Sequence, residues 1–408
     1  MSVKELLKLH GSPPREVYFD LENSGYVPRE VIDAMLPYFN STGYGHPSIT
    51  HKPGWEAYEV IYETKELLKE VLGARSHEEL VFTHSGTEAN NLAILGLALA
   101  NRARKGKIVV SAIEHLSVIH PAELAESLLG FKVVRVPVDG EGFIYPEVLQ
   151  EFVDRDTILV SVQFVNHEIG TVQNIEELSK LVKDINPDTV FHTDAADAFG
   201  KFRIDLGRLS NVDLLTLSSH KIHGPRGVGA LYVREGVKLE PVLRGQLSTE
   251  KLWPGVENVP LIAGFRKAVE LAFNDFDGSV ARMRSLRDRL MEGILSRVPD
   301  VLVNGPRDLS RRAPDNANLS FLYVEGEALT VELSLRGVYV ASGSACTSRI
   351  LEPSHVLLAI GRKHEEAHGS ILFKTSRYHR EEDIDYAVGA VAEAVERLRA
   401  ISPLRRSS

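Results

Sequence analysis

Residues 217–229, LSSHKIHGPRGVG, place one lysine, Lys221, between a histidine and a turn rich in glycine and proline. An apolar run at 214–217 precedes this turn, and a second apolar run at 229–233 follows it. A lysine becomes a nucleophile towards carbonyl groups when desolvation or a neighbouring cation lowers its pKa. The position of Lys221 just beyond a predicted strand therefore favours a chemical role over that of an ordinary surface charge.

Short apolar runs alternate with helical periods around this turn, from about residue 56 onward. This alternation is typical of an α/β fold with a mostly parallel sheet. The predicted strands are residues 107–112, 132–137, 157–163, 190–193, 214–217 and 229–233. The predicted helices between them include residues 87–104, 116–129 and 175–185. Ligands of such sheets usually bind beyond the carboxyl ends of the strands, which is where Lys221 stands.

The second part of the chain has a different pattern. Residues 259–298 form a long, charged, amphipathic stretch that predicts a connecting helical region with a break near Asp277-Gly278. Short strands at 317–323 and 370–374 and helices at 327–335 and 381–398 follow. We therefore expect a large domain at 15–258, whose N-terminal segment partly joins a smaller α+β domain, and the connecting helix with that smaller domain at 259–408.

Composition excludes several classes of function. A chain of 408 residues is long enough for two domains, and its net charge of -9 argues against nucleic acid as a ligand. No apolar run is long enough to span a bilayer, and the start, MSVKELLKLH, does not resemble a signal peptide. Its single cysteine suits a reducing compartment, so we expect a cytoplasmic protein. The single cysteine excludes a CxxC pair, and we expect no metal site.

Three further segments contain candidate binding residues. Asp194 ends the strand in FHTDAAD, where a carboxylate can pair with a protonated pyridine nitrogen. Gly86 and Thr87 open a helix in HSGTEANN and could offer backbone N–H groups and a hydroxyl to a phosphate. His115 follows another strand and could stack on a planar ring. Each of these features is common by itself, but their combination in one chain indicates a binding site.

The single cysteine, Cys346, lies in SGSACTS, which has no bulky apolar residue. A lone cysteine is often a small buried hydrophobe. A polar loop favours a reactive thiol instead.

Taken together, these segments resemble the cysteine desulfurase family of class-V aminotransferase-like enzymes, whose cofactor is pyridoxal phosphate (PLP). The resemblance extends from YFDLENSGYVP to ISPL near the C-terminus. Its most specific segments are SGTEANN, SAIEHLSV, ILVSVQFVNHEIGTVQ, HTDAAD, SSHKIHGPRGVGALYV and SGSACTSRILEPSHVL. The resemblance implies PLP fold type I, a large domain with a seven-stranded sheet, a homodimer, and transfer of sulfur from L-cysteine to an acceptor protein such as an iron–sulfur scaffold.

The resemblance also implies a role for each matching residue. Lys221 would form the Schiff base with PLP, Asp194 would pair with the pyridine nitrogen, and His115 would stack on the ring and move protons. Cys346 would take the substrate's sulfur as a persulfide and release alanine. The remaining cofactor contacts would come from Gly86, Thr87, Ser218, His220, His167 and Asp197, and the substrate contacts from His46, His51 and Arg377.

Several of these positions depart from the family pattern. Asp197 replaces a glutamine that contacts the cofactor's phenolic oxygen, so its carboxylate must be protonated or turned away. His167 and His46 replace asparagines, and Val256 stands where a serine or threonine reaches the partner's phosphate. Leu372 replaces the arginine that grips the substrate carboxylate.

Two nearby cations, Lys374 and Arg377, could take over that role. The altered substrate residues leave open a related PLP lyase or transferase acting on another amino acid, including selenocysteine lyase. A degenerate sulfur-carrier scaffold and, more remotely, a metal hydrolase are the alternatives from other classes.

Overall fold

The computed structural model describes residues 13–246, 248–342 and 353–402 of the chain. Cys346, with its predicted loop, lies outside these ranges. The strands are β1 (Val17–Tyr18), β2 (Leu80–Thr83), β3 (Lys107–Ser111), β4 (Lys132–Val136), β5 (Thr157–Ser161), β6 (Val190–Asp194), β7 (Leu214–Ser218), β8 (Gly229–Val233), β9 (Val301–Val303), β10 (Asn316–Phe321), β11 (Val338–Tyr339), β12 (Ala341–Ser342) and β13 (Ser370–Lys374). The α-helices are α1 (Arg29–Met35), α2 (Pro37–Asn40), α3 (Lys52–Leu72), α4 (Gly86–Ala100), α5 (Leu116–Leu129), α6 (Pro146–Leu149), α7 (Ile175–Ile185), α8 (Val259–Asn274), α9 (Phe276–Arg297), α10 (Gly326–Leu335), α11 (His355–Ala359), α12 (His364–His368) and α13 (Glu381–Ile401).

The central element is a seven-stranded sheet with the strand order β2-β8-β7-β6-β5-β3-β4. Strands β4, β3, β5, β6 and β7 are parallel, and β8 runs antiparallel between β7 and β2. Strands β3, β5, β7 and β8 are buried along their whole length, as expected for a sheet covered on both faces. The predicted α/β class with a mostly parallel seven-stranded sheet is confirmed.

The ends of the predicted elements are close to the observed ones, with two informative differences. Helix α4 ends at Ala100 and not at 104, because the next residue, Asn101, leaves helical geometry and donates its side-chain amide to the Leu97 carbonyl. The long connecting stretch breaks at Asp275, which lies between α8 and α9 with φ -131° and ψ 65°. Gly278, where the break was expected, lies inside α9 under the Asp275 carboxylate.

Five hydrophobic clusters make up the described interior, and the two largest separate the sheet from the C-terminal elements. The larger of these two packs on the sheet and includes α8 through Phe265 and Val269. The smaller cluster gathers α9, β10, β13 and α13, together with Val17 and Phe19 from the N-terminal segment. Strand β1 pairs in parallel with β11, so the N-terminal segment contributes to the smaller cluster. The expected domain boundary near 258 stays a prediction. No helix in the described ranges combines the length and apolar character needed to cross a membrane.

Candidate active site

The candidate site is a cavity of about 220 Å³ at the carboxyl ends of the parallel strands. In the sheet, β3 lies between β4 and β5. The next strand in the chain, β4, lies on one side of β3, and β5 lies on the other side, so the strand order reverses between β3 and β5. Such a reversal opens a crevice that typically binds ligands. The described lining residues are Glu22, Asn23, Ser85, Gly86, Thr87, Asn90, His115, Ser117, Gln163, Val165, His167, Asp194, Ala196, Asp197, Ser218, His220 and Lys221.

One corner of the cavity is suited to an anion. Helix α4 begins there at Gly86, and the free N–H groups of a helix start attract phosphate. A Cβ atom at Gly86 would lie 3.1 Å from the Ser218 Cβ, so glycine permits the close approach of the two segments. The hydroxyl of Ser218 lies 2.9 Å from the Nδ1 atom of His220, and Thr87 is exposed beside them. Four predicted phosphate contacts therefore meet at one place.

Asp194 lies at the end of β6, on the cavity wall. Its carboxylate accepts hydrogen bonds of 2.7 Å from the Asn90 side chain and 2.9 Å from the Ala196 backbone N–H. Burial raises the pKa of Asp194 above its ordinary value. A cationic ring nitrogen at this carboxylate would favour the ionised form, which is the pairing predicted from the sequence.

Two histidines flank the crevice. The rings of His115 and His167 have centroids 5.0 Å apart and an interplanar angle of 76°. The His115 Nδ1 atom accepts a hydrogen bond from the Ser117 backbone N–H, which caps α5 and fixes the ring. Burial lowers the pKa of His167 to about 3, so this ring is neutral near neutral pH. A neutral ring retains one N–H for donation to a ligand.

Lys221 makes its closest described contacts with two carboxylates. Its Nζ atom forms an ion pair with Glu22 and another, of 2.9 Å, with Asp197. Burial works to lower the pKa of Lys221, but the charges of Asp197 and Glu22 outweigh it and raise the pKa.

Two further buried lysines extend this ion-pair cluster. The Nζ atom of Lys374 contacts both Glu22 and Asp197, and Lys201 lies 3.5 Å from Asp197. Burial opposes ionisation of Asp197, but the three lysines lower its pKa well below the usual range. Of the two states expected for this carboxylate, the protonated one is thus disfavoured.

The predicted substrate residues do not line this cavity, although Arg377 lines a smaller neighbouring cavity with Lys221. His46, His51 and Arg377 are not among the described residues that line the cavity. The Nδ1 atom of His51 accepts a 3.0 Å hydrogen bond from Gly54 at the start of α3, and His46 accepts one from Ser48. The guanidinium of Arg377 packs over the Tyr378 ring, with its Cζ atom 4.9 Å from the ring centroid. Their role in substrate binding stays a prediction.

The positions that depart from the family pattern also have defined places. Leu372 and Lys374 are two residues apart on β13 and therefore face the same side of that strand. Both are buried, and Lys374 is already held by carboxylates. Val256 is exposed.

Eight of the described lining residues were missed at the level of sequence, among them Asn90 and Glu22. Asn90 lies three residues after Thr87, and helical spacing places the two on neighbouring turns of one face. That spacing could have identified Asn90. Glu22 lies in an N-terminal segment without periodicity, and its approach to Lys221, 199 residues later, has no sequence signal.

Comparison with known proteins agrees with this geometry. The family model described as aminotransferase class-V matches residues 17–386. The chain therefore belongs to the class-V aminotransferase family.

Its relatives define the resemblance more closely. Cysteine desulfurase IscS 1 of Archaeoglobus fulgidus is 43% identical over 95% of this chain and 99% of its own length. Cysteine desulfurase IscS of Dictyoglomus turgidum is 43% identical over 96% of this chain and 98% of its own length. The resemblance to cysteine desulfurases is thus confirmed.

Solved structures give the same result. A NifS-like protein superposes with a TM-score of 0.87 at 33% identity, covering 94% of this chain and all of that protein. A structure described as SspA in complex with cysteine has a TM-score of 0.77 at 32% identity, covering 89% of this chain and 99% of SspA.

The residues present fit PLP. The cavity joins an anion corner, a buried carboxylate and a lysine amine, which match the phosphate, ring nitrogen and aldehyde of that cofactor. The close approach of Gly86 to Ser218 leaves the anion corner free of a side chain from residue 86.

Proposed function

We propose that this protein is a PLP-dependent cysteine desulfurase that converts L-cysteine to L-alanine and passes the sulfur to an acceptor protein. The observation that carries the proposal is the meeting of Lys221, Asp194 and the Gly86 corner in one cavity. The two relatives named above are cysteine desulfurases, and this chain matches nearly the full length of each. That match supports the same activity here.

Each residue would have a separate task. The backbone at Gly86 and Thr87, with Ser218 and His220, would hold the phosphate. Asp194 would hold the ring nitrogen. PLP would supply an electron sink that weakens the bond between the Cβ atom and sulfur of the bound amino acid.

Protons and sulfur would be handled by other side chains. Lys221 and His115 would move protons at the substrate's carbon atoms. The thiolate of Cys346 would attack the substrate sulfur, so that an S–S bond forms as the C–S bond breaks and alanine leaves. The persulfide on Cys346 would then meet an acceptor, for which an iron–sulfur scaffold is one candidate, in the cytoplasm.

A homodimer is the assembly that we propose. Helix α3 exposes Trp55, Tyr58 and Tyr62, whose spacing of three and four residues places them along one face. Their side chains are 61%, 48% and 41% exposed, and Tyr44, just before the helix, is 60% exposed. Aromatic side chains exposed together are typical of an interface. A second copy of the chain would cover this stripe.

The first experiment measures products. The purified protein is loaded with PLP and incubated with L-cysteine, and alanine and reducible sulfur are quantified beside the Cys346→Ala variant. We expect equimolar alanine and sulfur, both lost in the variant. Bound PLP without alanine would contradict desulfurase activity, and an amino-acid screen would then test the other PLP reactions.

A further inference from the structure

The ion-pair cluster around Lys221 is balanced in charge and largely buried. Glu22 and Asp197 each contact both Lys221 and Lys374, so two carboxylates and two ammonium groups alternate around a ring. The side chains of these four residues are 11%, 5%, 8% and 2% exposed, in that order.

A second layer completes this balance. Lys201 contacts Asp197 and forms a 2.6 Å ion pair with Asp315, so three lysines face three carboxylates. Burial lowers the pKa of His220 to about 4 and that of His167 to about 3, so neither ring adds charge near neutral pH.

The remaining groups that face the cluster are more distant. His115 faces His167, and Asp194 interacts with both His115 and Asp197. Asp20 interacts with Glu22 and Lys221. Lys221 also lines a second, smaller cavity, together with His223 and Arg377.

Loss of a proton from the nitrogen of Lys221 would upset this balance. Three carboxylates would then face only two cations, and a net negative charge would remain buried. An uncompensated buried charge is costly, so the surroundings favour a proton on that nitrogen. The same reasoning applies when the nitrogen forms a double bond to carbon, because an imine nitrogen can also carry one proton.

We propose that Glu22 and Asp197 act as paired counterions that keep the Schiff base between Lys221 and PLP protonated well above neutral pH. A protonated imine has one N–H, so one carboxylate accepts its hydrogen bond and the other acts through its charge. A cationic imine carbon is the better electrophile for an incoming amino group. The two carboxylates are thus positioning residues that prepare Lys221 for exchange with substrate over a wide pH range.

The inference depends on the proposed function only in requiring that PLP binds to Lys221. It gives a function to one departure from the family pattern, Asp197. Asp197 supplies one counterion, and Glu22 in the N-terminal segment supplies the other. Lys374, on the same face of β13 as Leu372, compensates the second carboxylate.

The test is a spectroscopic pH titration of the PLP-loaded protein without substrate. Protonated and unprotonated Schiff bases absorb at different wavelengths, so the apparent pKa is measured without turnover. We expect the wild-type protein to keep the protonated band well above neutral pH. Glu22→Gln and Asp197→Asn should each lower the apparent pKa by about one unit or more, which is a roughly tenfold weaker hold on the proton.

A variant that shifts the apparent pKa in the opposite direction gives the sharper control. Lys374→Met removes a cation from the ring and should raise the apparent pKa. Asp315 is a buried carboxylate whose described ion pair is with Lys201. The Asp315→Asn variant should therefore shift the apparent pKa by much less. If one carboxylate variant fails to retain PLP, the other carboxylate variant and Lys374→Met still test the direction of the pKa shift.

Two outcomes separate this inference from the proposed function. A wild-type pKa near or below neutral, or equal pKa values in wild type, Glu22→Gln and Lys374→Met, would overturn the counterion role while leaving PLP binding intact. The absence of any Schiff-base band in the wild-type protein would instead refute the cofactor assignment itself.

Discussion

The side chain of Asn90 donates a 2.7 Å hydrogen bond to the carboxylate of Asp194, joining the helix of the anion corner to the end of β6. The same amide also donates a 2.8 Å hydrogen bond to Ser117, beside His115. One buried asparagine thus connects three segments of the cavity wall. It fixes the carboxylate at a set distance from the helix that would hold phosphate.

Replacing Asn90 by leucine should loosen this connection. The variant leaves the buried Asp194 without its side-chain donor, which costs about 1–3 kcal/mol. We expect PLP to dissociate at least several-fold faster, as measured by loss of cofactor absorbance on dilution. The matched control is Asn91→Leu, because the Asn91 amide bonds only the Thr87 carbonyl of its own helix among the described contacts. Equal dissociation rates in both variants would contradict the role of Asn90.

Lys221→Ala should abolish the absorbance of protein-linked PLP. Borohydride reduction followed by mass spectrometry should find PLP attached to the wild-type chain at Lys221 and none attached to the variant. Lys201→Ala is the matched control, since Lys201 is a buried lysine of the same cluster. A retained covalent adduct in Lys221→Ala would show that another amine binds the cofactor.

A charge placed in the aromatic stripe of α3 should dissociate the proposed dimer. Trp55→Asp would bury a carboxylate against an apolar surface of the second copy, which is costly without a partner. Sedimentation velocity should then show a monomer at concentrations where the wild-type protein is dimeric. Leu128→Asp, on the exposed face of α5, should leave the assembly unchanged. A dimer that survives Trp55→Asp would place the interface elsewhere.

Ionisation of the buried Glu168 carboxyl should make the protein less stable as the pH rises. Burial raises its pKa from 4.5 to about 8, and its carboxyl interacts with the Ser354 hydroxyl. Between these two values the folded protein holds a proton that the unfolded chain has lost, so the free energy of unfolding falls as pH increases. The stabilising contribution of the bound proton is fully present below the unfolded-state pKa and is lost once the pH has risen through the folded-state pKa.

Glu168→Gln removes this titration. Relative to wild type, the variant should gain up to about 1.4 kcal/mol of stability per pH unit across the window, measured by urea denaturation. Glu147→Gln, at an exposed position, should follow the wild-type profile. Parallel profiles for Glu168→Gln and wild type would show that Glu168 does not hold the extra proton.

Much of this architecture was predictable, because strands buried on both faces have continuous apolar sequences. Strands β3 to β8 were located from that pattern with ends that differ by two residues or fewer. The positions of Lys221 and Asp194 follow from the rule that strand ends of a parallel sheet share one edge. The convergence of Gly86 with Ser218 also depends on β8 being antiparallel, which periodicity does not reveal.

The ion-pair cluster was beyond prediction for a physical reason. A lysine or glutamate in a sequence carries no sign of its partner, since charged pairs form across any sequence separation. Glu22, Lys374 and Lys221 come from three distant segments of the chain and meet only in the folded structure. Asp197 was identified as a departure from the family, but its contacts with three lysines were not foreseen.

The antiparallel strand β8 has a consequence for the order in which the protein assembles. Strand β2 lies at the sheet edge and, among the described strands, pairs only with β8, although β8 comes far later in the chain. During synthesis on the ribosome, β2 therefore has no strand partner until Gly229–Val233 has emerged. Contacts between such distant segments form slowly. The cofactor cavity is thus one of the last features of the sheet to form, and capture of PLP would report that the nascent chain has closed its central sheet.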